Sequence, residues 1–233
     1  MLKALIVLAT VAGVASAPAA SLPELLGTLS ASQRFPEPTR ADVRIEYTQD
    51  GKTTSGAAVF IGRGHTLYVE TQDGTRALVR PAKILVAGGR RAVRAQPGAR
   101  LGATGVLLED LVPVTPWMLR VPQVSDEGPT GTVVTGAPAF PSARVLIVLT
   151  IMPEERVVSR AKLYEKSISD LASFWRNDEF VDVAGRPRPI RIAVDRLKEG
   201  ATTRLQLAWR AAPETPRTLL TPAGLRGKSP ITW

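Results

Sequence analysis

Hydrophobic and polar residues follow two different periods along this chain. Leu22, Leu25, Leu26 and Leu29 recur at helical spacing and predict a short amphipathic helix. Ser21-Leu22-Pro23-Glu24 supplies its start, with Ser at the N-cap, Pro in the first turn and Glu reaching back to the cap. Pro36 and Pro38 are expected to stop it. From there the period is two: Val43, Ile45 and Tyr47 point one way while Arg44, Glu46 and Thr48 point the other. Gln49-Asp50-Gly51 is a turn signal, and Thr53 to Ile61 is the return strand. Gly62-Arg63-Gly64 turns into His65 to Thr71, and Asp73-Gly74 turns into Thr75 to Val79. Together these segments predict a four-stranded meander.

Lys83 to Ala87 and Arg91 to Ala95 read as a further pair. Thr104 to Leu111 breaks the alternation, because Val106, Leu107, Leu108 and Leu111 have helix-like spacing, and a short helix is expected there. Pro113 to Gly131 is rich in Pro and polar residues, with Trp117 to Val121 as an edge strand. Ala143 to Met152 is apolar on both faces except for Arg144 and Thr150, which predicts a central strand covered on each side. Val157 to Tyr164 and Asp170 to Arg176 follow as strands, Ile190 to Asp195 and Thr202 to Arg210 form a hairpin, and Thr218 to Leu225 is a closing helical turn. The count is about ten or eleven strands joined by short turns, with no βαβ unit. The fold class is mainly β. A large antiparallel sheet of this size must curl or split to cover its apolar face, and helices too few to form a layer suit a lid.

The start of the chain changes the picture of where it works. Lys3 precedes an apolar run from Ala4 to Val14, and Ala15-Ser16-Ala17 supplies an A-x-A pattern, the layout of a signal peptide. The run is shorter than the roughly 20 residues that a membrane span needs. Cleavage at Ala17-Pro18-Ala19 would leave residues 20–233 as one domain, soluble in the periplasm. With no cysteine there is neither a lipidated anchor residue nor a disulfide, so burial alone must hold the domain together. Formal net charge is +9, or +8 once Lys3 is removed, which favours anionic partners. Export sets nucleic acid aside and leaves anionic lipid head groups, lipopolysaccharide or an acidic protein. The densest basic stretches are Arg90, Arg91, Arg94 and Arg100, then Arg186, Arg188 and Arg191, although an arginine-rich composition would produce them too.

No catalytic constellation accompanies this pattern, and no cofactor or metal is expected. His65, the single histidine, falls on the strand register of Leu67 and Val69 and lacks a second His, a Cys or an ordered carboxylate spacing beside it. There is no G-x-S-x-G nucleophile turn. The acidic pairs Glu109-Asp110, Asp126-Glu127, Glu154-Glu155 and Asp178-Glu179 read as solvated turns or helix ends, since neighbours on a strand face opposite ways. Gly62-Arg63-Gly64 lacks the spacing of a phosphate loop. Phe60, Tyr68, Trp117, Tyr164, Phe174, Trp175, Trp209 and Trp233 are spread over the strands as core aromatics would be. An exported basic β protein of this kind points to binding rather than catalysis.

Two stretches resemble the LolA-like outer-membrane lipoprotein-sorting family. Ala99-Arg-Leu-Gly-Ala-Thr-Gly-Val-Leu-Leu-Glu-Asp-Leu111 is similar to a segment those proteins carry after the first group of strands, with Val106 and Leu107 where an aromatic is usual. Ala161 to Tyr164, Phe180 to Ile190 and Thr202 to Trp209 are similar to the family's order of a strand, a Gly-and-Pro turn and a closing strand pair. With the early meander the resemblance covers residues 22 to 226. It implies an incomplete antiparallel barrel around a hydrophobic cavity, closed by helices, that shields acyl chains of lipoproteins or lipids between membrane donor and acceptor proteins. Some relatives instead sense envelope stress. At about 0.8 kcal/mol per buried methylene, a C16 chain could gain on the order of 10 kcal/mol.

Two functions follow. A carrier would line its site with Val43, Ile45, Tyr47, Phe60, Leu67, Val69, Leu205, Leu207 and Trp209, under a lid of Leu25, Leu26, Val106 and Leu108, with Arg90, Arg91, Arg94 and Arg100 touching an anionic surface. A protein-interaction or regulatory module would have a filled core and a basic docking face. A cavity of several hundred Å³ favours the first, a filled interior the second.

Overall fold

In the computed structural model the described residues are 21–233, apart from 82, 89–90, 103–105, 112–118, 129–130, 140–141, 143, 153 and 230. The expected signal segment therefore lies outside the described residues. The helix comes first: α1, Leu22–Gln33, starts at Ser21, whose backbone N–H and hydroxyl both donate to Glu24 (2.9 and 2.8 Å). That bond holds the Glu24 carboxyl below its ordinary range. Leu25, Leu26 and Leu29 form its buried stripe.

The chain then enters a strand directly. β1 spans Phe35–Gln49, β2 Lys52–Gly64, β3 Thr66–Thr71, β4 Arg76–Arg80, β5 Lys83–Gly88 and β6 Arg91–Arg94. Each pairs antiparallel with the next. The β1–β2 turn consists of Asp50 and Gly51, both at positive φ (50° and 72°), the geometry of a type I′ hairpin. After a connection containing a 3-10 turn at Leu108–Leu111 come β7 (Leu119–Gly128), β8 (Gly131–Pro138), β9 (Arg144–Met152), β10 (Val157–Glu165), β11 (Leu171–Asp182), β12 (Pro187–Arg196) and β13 (Ala201–Ala211). These too form a meander. β13 then pairs with β1, from Thr39 opposite Ala211 to Gln49 opposite Ala201, giving one sheet in the order β6-β5-β4-β3-β2-β1-β13-β12-β11-β10-β9-β8-β7. The ends β6 and β7 do not pair, so the sheet is not closed into a barrel.

The sheet is strongly curved. Leu67 of β3 and Leu149 of β9 line one cavity, yet seven strand steps separate them, which in a flat sheet is roughly 34 Å at about 4.8 Å per step. The inner face carries the larger core, which includes Val43, Ile45, Val69, Ile147, Val194 and Leu205 under α1 and the Leu108 turn. A second core lies on the outer face, where Val59, Ile61, Tyr68 and Leu78 are covered by a 3-10 turn, Arg217–Leu220, and α2, Pro222–Arg226. Arg76 donates to Gly227 O (2.5 Å) and Arg80 to Leu220 O (2.9 Å), tying that cover to β4.

The structure corrects the sequence reading in several places. Thirteen strands form among the described residues, not ten or eleven. α1 ends at Gln33, ahead of Pro36 and Pro38 as expected, but the alternating strand begins earlier than the prolines suggest. Both prolines sit inside β1, where the register shifts between Phe35 and Thr39, and such an irregularity tolerates residues that lack an N–H. β7 is longer than the edge strand read at Trp117 to Val121 (117 and 118 lie outside the described residues), and β8 was not anticipated. In the expected middle helix only the Leu108–Leu111 turn is described as helical; residues 103–105 lie outside. β9 is not covered on both faces: its burial alternates and Val145 is 42% exposed. His65 sits in the β2–β3 turn rather than on the strand, half-buried, and burial lowers its pKa.

Candidate hydrophobic ligand site

The inner face is not completely filled. Between the C-terminal end of α1 and strands β2, β3 and β9–β13 lies a cavity of about 190 Å³. Its walls follow from register: on β10, Ala161 stands opposite Leu149 of β9 and Trp175 of β11, and Leu163 stands opposite Ile147. Of the residues expected to line a site, Phe60, Leu67, Leu207 and Trp209 reach this space. Val43, Ile45, Val69 and Leu205 share the inner face but lie in the packed core, as do Leu25, Leu26, Val106 and Leu108 above them. Tyr47 is half-buried further along the sheet and donates to Gln49 (2.5 Å).

One end of the cavity is built around a buried cation. Arg188, only 5% exposed, donates to Ser32 O (3.1 Å) and Arg34 O (2.7 Å), the carbonyls where α1 gives way to β1. Its guanidinium carbon stands 4.1 Å from the centre of the Phe35 ring. That ring lies 5.8 Å from the Trp209 ring and rests against Gly62, where a Cβ would come within 2.5 Å of it. Trp209 donates its indole N–H to Pro189 O (2.8 Å). Burial pulls the Arg188 pKa down to about 10, the charge of Arg186 adds to this, and Asp182 opposes it. No carboxylate lies within ion-pair distance of Arg188 among the described residues. Its Nε, the Trp175 indole N–H and the Asn177 side-chain oxygen are all buried without a partner, and all three residues line the cavity. Each such orphan costs about 1–3 kcal/mol. Sequence reasoning placed Arg188 only in a basic stretch. Its burial depends on the end of α1, which strand periodicity does not reveal.

No protein-family model and no curated protein matches the sequence. Solved structures do. A DUF1329 family protein from Desulfovibrio piger superposes with a TM-score of 0.71 at 14% identity, covering 86% of this chain and 96% of that one. A putative outer membrane lipoprotein-sorting protein domain from Vibrio parahaemolyticus gives 0.73 at 11% identity, with 85% and 95% covered. A LolA superfamily protein from Nitrosomonas europaea gives 0.68 at 19% identity, with 87% and 98% covered. The fold is LolA-like.

The outer face of this LolA-like sheet carries charge, and charged side chains such as Arg44, Glu46, Arg176, Asp178 and Arg191 border an open cleft of about 510 Å³ there. Arg40, Arg44, Arg160, Lys162, Arg176, Arg191, Arg204 and Arg210 lie on this face across β1 and β10–β13, against Asp42, Glu46, Asp178 and Asp195. Arg40 and Arg210 both pair with Asp42 (2.8 and 3.1 Å), whereas Arg44, Arg160, Lys162 and Arg204 are exposed and have no ion-pair partner among the described residues. The basic stretch singled out in the sequence is arranged differently. Arg90 lies outside the described residues, Arg91 and Arg94 are exposed but three apart on β6 and so face opposite ways, and Arg100 is paired with Glu199 (2.5 Å). No group of three or more metal-ligating side chains occurs among the described residues, and no described helix is long and apolar enough to cross a membrane.

Proposed function

We propose that the protein binds hydrophobic ligands in the periplasm and holds an acyl chain of a lipid or lipoprotein bound for the outer membrane. The observation that carries this reading is the apolar cavity under α1. Its volume exceeds the roughly 150 Å³ at which an apolar hole takes up benzene and falls below the roughly 300 Å³ of a drug-sized site. At about 30 Å³ per water-sized group it admits some six methylenes, or about 5 kcal/mol of burial. That alone corresponds to a dissociation constant of a few tenths of a millimolar. A whole C16 chain extends beyond this space, so part of it is shielded and part left for an acceptor to take hold of.

Brominated fatty acid is expected to quench the fluorescence of the purified protein saturably, through Trp175 and Trp209 in the cavity wall. Trp233, 48% exposed on the outer face, should contribute little. Replacing Trp209 with Phe should remove part of the quenching, and replacing both wall residues nearly all of it. Saturable quenching undiminished in the Trp175→Phe/Trp209→Phe protein would place the ligand elsewhere, and its complete absence in the wild type would refute the reading.

The outer-face cations favour a second role for the same molecule, docking on an anionic membrane surface. Binding to phosphatidylglycerol vesicles is expected at low salt and should be lost well before 1 M, where screening acts over about 3 Å. Neutralising Arg44, Arg160 and Arg204 together should abolish it. Salt-independent binding would count against an electrostatic contact.

A further inference from the structure

We propose that the cavity selects a single-chain amphiphile, with the anionic head group (a carboxylate or a phosphate ester) against Arg188 and the alkyl chain running down β10 toward Leu163. This rests on the hydrophobic-ligand reading above and narrows the cargo from an acyl chain of a lipid or lipoprotein to a single-chain lipid with its own anionic end.

Three observations carry it. The first is charge: among the described residues the groups in contact with this deeply buried guanidinium are two main-chain carbonyls and an aromatic face, with Asp182 acting on its charge from beyond ion-pair distance. Carbonyls at the end of a helix need hydrogen-bond donors but not a full charge, so fixing α1 does not by itself account for an arginine. Two of its five N–H groups are used in those bonds, and the Nε–H points at no acceptor. The second is that the other orphans share the cavity. The Trp175 indole N–H is a donor without an acceptor, as Arg188 Nε is, and the Asn177 side-chain oxygen lacks a donor while its amide nitrogen is held by Val158 O (2.8 Å). An anionic head group at the α1 end would answer the Arg188 charge and accept from its guanidinium. The third observation is the gradient along the cavity. Arg156, Ser32 and Asn177 stand with Arg188 at the α1 end, whereas Ala161 and then Leu163, opposite Leu149 and Ile147, line the far end. With room for about six methylene-sized groups, the space accepts one chain and not the several chains of a complete membrane lipid.

The test is calorimetric titration of the delipidated mature chain with dodecanoate, dodecyl phosphate, 1-dodecanol, dodecylamine and inorganic phosphate, each surfactant below its micelle concentration. Dodecanoate and dodecyl phosphate are expected to bind at least about tenfold more tightly than dodecanol, and dodecylamine more weakly than dodecanol. Inorganic phosphate should neither bind measurably nor displace dodecanoate. In Arg188→Gln the advantage of acid over alcohol should fall to about onefold, and Arg188→Lys should keep part of the advantage. Equal binding of acid, alcohol and amine in the wild type would overturn the head-group assignment and leave the hydrophobic site standing. An unchanged preference in Arg188→Gln would overturn it as well. Displacement of dodecanoate by phosphate would mean a site for free anions and refute the amphiphile. Failure of every chain to bind would remove the ligand-binding reading itself. Should Arg188→Gln not fold, the order of acid, alcohol and amine in the wild type still decides.

Discussion

A chain ended at Pro216 is expected to lose its cooperative thermal transition and to bind a hydrophobic dye at room temperature. The seventeen residues removed, 217–233, contribute Leu219, Leu220, Leu225 and Ile231 to the outer-face core. At about 1.5–3 kcal/mol for each fully buried side chain, the loss is on the order of 6–12 kcal/mol, comparable to the entire stability of an ordinary domain, about 5–15 kcal/mol. The exposed bed adds a further difficulty. Tyr68 donates to Glu70, which is 2% exposed, and burial together with that carboxylate raises the Tyr68 pKa far above its usual range. Without the cover this polar pair sits in a wet apolar patch and Arg76 loses its carbonyl partner. Circular dichroism melts of the mature and shortened chains decide the matter. A shortened protein melting within a few degrees of the parent would mean that the outer core is dispensable.

The second large effect is on binding. Ala161→Phe should abolish saturable uptake of brominated fatty acid, raising its dissociation constant at least a hundredfold, while leaving the melting temperature unchanged or slightly higher. Ala161 faces the cavity between Leu149 and Trp175. The added ring is about the size of benzene, for which roughly 150 Å³ suffices, and about 190 Å³ is open. Overpacking a filled core would instead cost about 1–3 kcal/mol, so the melting temperature separates the two cases. A variant that folds normally and still binds at wild-type strength would show that the acyl chain uses another surface.

Alternation along Val43, Ile45 and Tyr47 or along Leu205, Leu207 and Trp209 identifies which side chains share a face, because the side-chain period of a strand is two whatever the partner. It does not say whether that face is covered. Phe60 and Trp209 border open space while Val43 and Ile45 lie packed beneath α1 and the Leu108 turn, a difference decided by where distant elements land. Strand β8 is hidden in the sequence because Gly131 and Gly136 bound its short Thr-Val-Val-Thr run, and the Phe35 end of β1 because two prolines suggest an end to regular structure rather than a register shift. Arg188 belongs to the same class of omission. Its neighbours Arg186 and Arg191 are ordinary surface arginines by composition, and only the docking of α1 over β12 makes one of the three a buried charge.

The pairing of β1 with β13 also dictates an order of assembly. Every other ladder in the sheet joins strands adjacent in sequence and can zip up locally, whereas this one joins residues such as Arg40 and Arg210 and must wait for the last strand to exist. Until then the chain consists of two separate meanders, each with a bare apolar side and an unsatisfied inner edge. Closing so long a loop is slow, and sheets dominated by distant contacts fold in milliseconds to seconds. The vulnerable interval in the life of this molecule is therefore the time between completion of β12 and capture of β13, when a chaperone has most to protect.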